Sequence, residues 1–308
     1  MCQEKDEGGR RLKIRISSRR QAEILLSCVI IARATSYLFS KLILTGMGMF
    51  NLMAVRFLLA FTILAMLFFR RLKQIDRKSL VAGAIMGGMF FLVMTAELTG
   101  LKRTASGNAA FLENTAIVIV PLLQSVVTRR LPKRSVIFSC FLSLIGVAFL
   151  ELGSGMDLGQ GEMFCLLAAF LYASTILMTD HLTHGGIDAL GAGIIQVGVI
   201  GMLSLTASLL LESPRLPVGT MEWTGILMLA IICTGFGFTL QPVAQSGTTA
   251  DRAGMFCALN PMVATILGII FLHEAFTVQS ALGGAFILAG ILLAELPEQG
   301  VKKKAAVI

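Results

Sequence analysis

The sequence predicts an all-α polytopic membrane protein with ten transmembrane helices, arranged as two inverted five-helix repeats. Three observations carry that expectation. The first is solvent: of 308 residues, 56% are hydrophobic and 14% charged, against about 25% charged in ordinary soluble domains. Lipid, not a soluble core, must take up so much apolar surface. The second is a layout that occurs twice. Residues 95–152 read as a helix end, a short turn, an apolar run, a basic turn and a further apolar run. Slid forward by 144 positions without a gap, they lie on 239–296. Thr104 then falls on Thr248, Ala109 on Ala253, Gly146 on Gly290, and Glu151-Leu152 on Glu295-Leu296. Eight of the fifty-eight pairs are identical, and the shared punctuation says more than the identities. The third is the placement of positive charge in short clusters between apolar runs, as topology signals are placed.

In chain order, residues 1–23 form a basic tail containing Lys5, Arg10, Arg11, Lys13, Arg15, Arg19 and Arg20. The apolar run that follows is interrupted by Arg33 and leads to further spans, so it reads as a retained first helix and not as a signal peptide. Ten spans fit: 24–44, 50–69, 79–101, 105–127, 134–151, 160–179, 189–211, 221–244, 250–272 and 278–295. Each can cross a hydrocarbon core of about 30 Å, and only helices satisfy the backbone of such separate segments in lipid. The resulting organisation is a tail (1–23), a first repeat (24–152), a second repeat (160–296) and a basic tail (297–308). Several connections are only a few residues long, so neighbouring spans run antiparallel. Gly83 and Gly87 in span 3, and Gly191, Gly193, Gly198 and Gly201 in span 7, are placed to let backbones approach closely.

Ten spans put both termini on one side of the membrane. That side collects twenty Lys and Arg residues, against three (Lys102, Arg103, Arg215) on the other, so the termini are expected in the cytoplasm and the protein in the plasma (inner) membrane. Five spans per half is odd, so the second half enters from the opposite face, which makes the repeats inverted. The basic turn Arg129–Arg134 is then cytoplasmic. Its counterpart, His273–Val278, is external and carries no Lys or Arg.

The net charge of +8 comes with no RNA- or DNA-binding motif, so nucleic acid is not an expected partner. The six cysteines are scattered, with neither a disulfide framework nor metal-ligand spacing. No nucleophile elbow, paired zinc histidines or phosphate-binding loop is present. A non-enzyme without metal or cofactor is the expectation.

The informative residues are charges within spans. Each costs about 2.5–3.5 kcal/mol at a helix centre and should face the bundle interior with a partner. Arg33 in span 1 and Glu113 in span 4 lie about eight or nine residues in from opposite faces, near the midplane at about 1.5 Å per residue, and are expected to pair. Arg56 in span 2 and Glu97 in span 3 form a second expected pair, a brace or a transport element, with Tyr37 and Lys41 at similar depth. Asn114 adjoins Glu113, with small residues Ala109, Ala110 and Ala116 nearby. Asn260-Pro261 in span 9 removes a backbone hydrogen bond deep in the membrane, which suits a discontinuous helix at a site or a plain kink. In the repeat register Glu97 pairs with Gln241, Glu113 with Cys257 and Asn114 with Ala258, so the acidic groups belong to the first half alone.

Val55-Arg56-Phe57, Gly100-Leu101-Lys102-Arg103-Thr104, Asn260-Pro261, His273-Glu274-Ala275-Phe276-Thr277, Gly283-Gly284 and Ala289-Gly290 sit in a layout that resembles the drug/metabolite transporter superfamily. The resemblance is to its ten-helix EamA-type branch and covers almost all of residues 24–296. It implies a secondary transporter of small organic metabolites or drugs, working by alternating access and open to proton coupling. Glu113, Asn114, Arg33, Tyr37, Glu97, Arg56 and Asn260 are the expected pathway residues. A small-molecule substrate and the bilayer are the expected partners, and a homodimer is compatible with the reading. A membrane-embedded lipid-modifying enzyme and a non-transporting sensor or scaffold are the alternatives.

Overall fold

A computed structural model describes residues 19–129, 137–138, 141–142, 145–146, 149, 159–183, 186–247, 259–273 and 277–295. Among these, every regular element is helical. In order they are α1 (Arg19–Leu44), α2 (Met49–Leu67), α3 (Phe69–Leu72), α4 (Arg77–Leu101), α5 (Ser106–Asn114) and α6 (Ala116–Thr128), then α7 (Gln160–Thr183), α8 (Ala189–Leu211) and α9 (Gly219–Met228). A π-helical segment (Leu229–Phe238), α10 (Thr239–Gln245), α11 (Leu259–Leu272) and α12 (Val278–Glu295) follow. Seven stretches are long and apolar enough to cross a membrane: Arg20–Leu44, Met49–Leu67, Arg77–Leu101, Ser106–Val126, Gln160–Thr183, Ala189–Leu211 and Gly219–Gln245. These fall on seven of the ten expected spans. Val263–Leu272 and Ala281–Gly290 are shorter apolar helices. The expected span 134–151 lies largely outside the described residues, as do the start of the ninth span, 250–258, and nearly all of both basic tails.

Two expected helices are not continuous. Span 4 divides at Thr115, where α5 stops and α6 begins, and the Thr115 hydroxyl donates to the Leu112 carbonyl at 2.7 Å. Span 8 passes through ten residues of π-helix between α9 and α10. Such segments are uncommon and gather at functional sites. Asn260 and Pro261 are the second and third described residues of α11, after Leu259, and the residues just before Leu259 lie outside the described ones.

The helices of the first half pack chiefly on those of the second. α2 lies along α8, α4 along α7 and α8, α1 along the π segment, α10 and α11, and α5 along α11 and α7. Large apolar side chains such as Leu209, Leu210, Ile231 and Ile270 remain on the outer surface, where lipid solvates them. Close approach depends on glycine. A β-carbon on Gly83 of α4 would lie 2.6 Å from the Ala192 carbonyl oxygen of α8, and one on Gly193 would lie 2.5 Å from that of Thr239 in α10. Any side chain there would push helices apart.

The antiparallel pair α2 and α8 is tied at both ends. At one end, Arg71, just past α2, meets Asp188 at the start of α8 at 2.5 and 2.8 Å. The Asp188 amide donates to Ser79 Oγ at 2.8 Å, and Asp76, the N-cap of α4, accepts in turn from the Ser79 amide (3.1 Å) and hydroxyl (2.5 Å). At the other end, Glu212, just past α8, accepts from the amides of Phe50 (3.2 Å) and Asn51 (2.8 Å) in the first turn of α2. Glu212 has room there only because residue 48 is glycine, since its carboxylate occupies the place of a β-carbon. Arg215 completes this end with bonds to Glu222 (2.7 and 2.8 Å) and to the Gly46 carbonyl (2.5 Å).

Two non-glycine residues among those described have positive φ: Arg129 (53°), closing α6, and His273 (52°), after α11. They stand 144 positions apart, the same offset that superposes the two sequence stretches.

Candidate functional site

A polar cluster is buried where helices of both halves meet. Tyr37 and Arg33 are four residues apart on α1, so they share a face. Tyr37, 3% exposed, donates its hydroxyl hydrogen to Glu113 Oε2. Glu113 and Asn114 are the last two residues of α5, directly before the break at Thr115. Asn260 Nδ2 donates to Tyr37 Oη at 3.5 Å, while Asn260 Oδ1 and Asn114 Nδ2 are buried with no hydrogen-bond partner.

Arg33 points toward the second half. Its Nη1 donates to Tyr172 Oη at 2.9 Å and to Gln241 Oε1 at 2.8 Å. Its guanidinium carbon lies 4.5 Å from the ring centre of Phe238, 5.2 Å from Tyr172 and 5.7 Å from Phe90, within cation–π range. Arg56 is fully buried on α2. Its Nε donates to Thr234 Oγ1 at 2.6 Å, and its guanidinium carbon is 5.0 Å from the Phe57 centre and 5.7 Å from Phe238. One aromatic ring, Phe238, therefore serves two cations. Glu97, on α4, is buried with Oε2 unpartnered, and feels the charges of Arg33, Arg56 and Glu113.

The expected pairings differ from this geometry. Glu113 takes its hydrogen bond from Tyr37, not from Arg33, whose charge reaches it only through space. Depth counting places Arg33 level with Glu113, but Tyr37 lies one turn nearer the α5 end of α1 and meets it first. Arg56 and Glu97 interact electrostatically, yet neither the two Nη atoms nor Oε2 has a hydrogen-bond partner. Lys41 donates to the Thr104 carbonyl at 2.9 Å, tying α1 to the turn before α5. The register mates Cys257 and Ala258 lie outside the described residues.

Asn260 apart, an expected residue that reaches Tyr37, the second-half contributors are not among the pathway residues expected from sequence. Tyr172 carries one signal, since the chain has only two tyrosines and both lie in this cluster. Gln241 carries another, as the register mate of Glu97; it is the neutral amide that receives Arg33. The π segment carries none. It nevertheless supplies Thr234, Phe238 and Cys233, the last within 3.1 Å of Thr35 Oγ1.

Apolar helices of membrane-crossing length around an internal charged cluster define an integral membrane protein. The EamA-like transporter family matches residues 20–152 and again 159–296, and the chain belongs to that family. An uncharacterized transporter of Archaeoglobus fulgidus is 24% identical over 275 residues, 89% of this chain and 86% of its own. YetK of Bacillus subtilis, also named an uncharacterized transporter, is 23% identical over 88% of this chain and 86% of its own. A solved crystal structure superposes with a TM-score of 0.65 over 90% of this chain and 97% of its own at 18% identity, which shows a shared fold. The chain is an integral membrane protein.

Proposed function

We propose that the protein is a secondary transporter of small organic metabolites or drugs, in which ten spans form two inverted repeats that rock about a central site. The observation that carries the reading is the internal cluster of half-buried Arg33 with buried Arg56, Glu97 and Glu113, held jointly by helices of both halves. Charges cost too much in lipid to persist there without a task, and a midplane site between repeats is where such transporters bind. The double family match, the 144-residue offset between Arg129 and His273, and the packing support the repeat. Exchanging the halves turns the α1 contact with α9 to α10 into the α7 contact with α4, and maps α2–α8 and α5–α11 onto themselves. The excess of Lys and Arg supports cytoplasmic termini in the plasma membrane.

Glu113, at a helix break and bonded to Tyr37, is the group proposed to take up and release a proton during alternation. In proteoliposomes, substrate counterflow should be present in the wild type. Glu113→Gln should abolish pH-dependent uptake; an unchanged rate and pH profile would sink the coupling role. Absence of counterflow for every organic solute tried would sink the transporter reading.

A further inference from the structure

The strongest unmet demand in the cluster is at Arg56. The side chain is completely buried, Nε is satisfied by Thr234, and both terminal nitrogens lack any hydrogen-bond partner. A guanidinium in that condition presents a rigid fork of N–H groups, and the ligand complementary to it is a carboxylate bound through both oxygens. Glu97 feels the Arg56 charge, yet its Oε2 is equally unpartnered, so the chain's own carboxylate does not fill the fork. Phe57 and Phe238, both buried and packed edge to face at 5.3 Å, flank the guanidinium at 5.0 and 5.7 Å, so a ligand drawn to the fork would meet apolar rings beside it.

We propose that Arg56 is the receptor for the carboxylate of a small apolar monocarboxylate solute, and that a proton taken up from the aqueous side by Glu97 Oε2 balances the incoming charge. This rests on the reading of the cluster as a transport site. Two arginines and two glutamates are already in balance, and a solute anion adds one negative charge in a region that tolerates none. Protonating Glu97 restores neutrality and turns its orphaned acceptor into a donor.

The test uses the purified full chain in detergent with 3-phenylpropionate and hexanoate as probes, against 3-phenylpropanamide, hexanamide and 3-phenylpropylamine. The two carboxylates should raise the thermal midpoint saturably, and more strongly as the pH falls; the amides and the amine should not. Arg56→Lys keeps the charge but loses the fork, and should weaken carboxylate binding about tenfold or more. Glu97→Gln should bind the carboxylates with the pH dependence lost. If Arg56→Lys does not fold, the wild-type comparison decides alone. No shift with either carboxylate, an equal shift with the amides, or a shift that requires the amine overturns the proposal. Counterflow with the same probes separates the two readings. Carboxylate binding with no counterflow of these or any other organic solute tried leaves the receptor standing and removes the transporter. Counterflow of amides or amines with no preference for carboxylates does the reverse.

Discussion

Tyr37 and Glu113 stand 76 residues apart in sequence and are joined by a hydrogen bond from phenol to carboxylate, with both side chains buried. Tyr37→Phe leaves Glu113 buried without its donor, which should cost about 1–3 kcal/mol. In a Glu113→Gln background the same change should cost less, so a double-mutant cycle by unfolding in detergent reads their coupling. Independent, additive effects would mean that the bond contributes nothing.

Gly83 fixes how closely α4 approaches α8. A valine there must displace the Ala192 carbonyl or Ile195, since even its β-carbon would sit 2.6 Å from the first and 2.8 Å from the second. Overpacking of this kind costs about 1–3 kcal/mol. Gly88 on the same helix has nothing within 4 Å of the place a β-carbon would take, so Gly88→Ala should leave the thermal midpoint unchanged or raise it.

Asp188 sets an acid limit on stability. Burial is the largest influence and disfavours its charge, but the hydrogen bonds from Arg71, those from the Gly191 and Leu190 amides and the Arg71 charge together outweigh it and hold the carboxyl below its ordinary value. A depressed folded-state value means that the contribution is fully present above the unfolded-state value of about 4. It is lost as the pH falls through the folded-state value. Asp188→Asn should therefore cost up to about 1 kcal/mol at neutral pH, the pair being partly exposed, and nothing in strong acid. A cost that persists unchanged into acid would show that the ion pair is not its source.

Glu212 caps α2 from another helix. Glu212→Ala uncovers the amides of Phe50 and Asn51 and should cost about 1 kcal/mol, as loss of a helix cap does. Hydrogen exchange should accelerate at those two amides ahead of the remainder of α2.

The architecture is legible in the sequence because lipid imposes a coarse rule: an apolar run of the right length is a helix. Seven spans follow it. The interior is less legible, because charge and depth say that a residue needs a partner without saying which one. Arg33 and Glu113 match by depth, yet a phenol one turn away reaches the carboxylate first. Gln241 and Tyr172 are uncharged, so no insertion penalty draws attention to them. The π segment is invisible to hydropathy, since residues 229–238 are largely apolar in any helical form, yet it brings Thr234 and Phe238 against the two arginines and Cys233 against Thr35.

The ties joining α2 to α8 have a mechanical consequence. Each helix is pinned at its beginning by the residue that follows the other's end, Arg71 on Asp188 and Glu212 on Phe50 and Asn51. A pair fastened in this way is a spindle whose two rods resist splaying at either tip. On the rocking cycle proposed above, the opening of either face would fall to the helices around this pair, and a distance measured from α2 to α8 would be the ruler that stays constant.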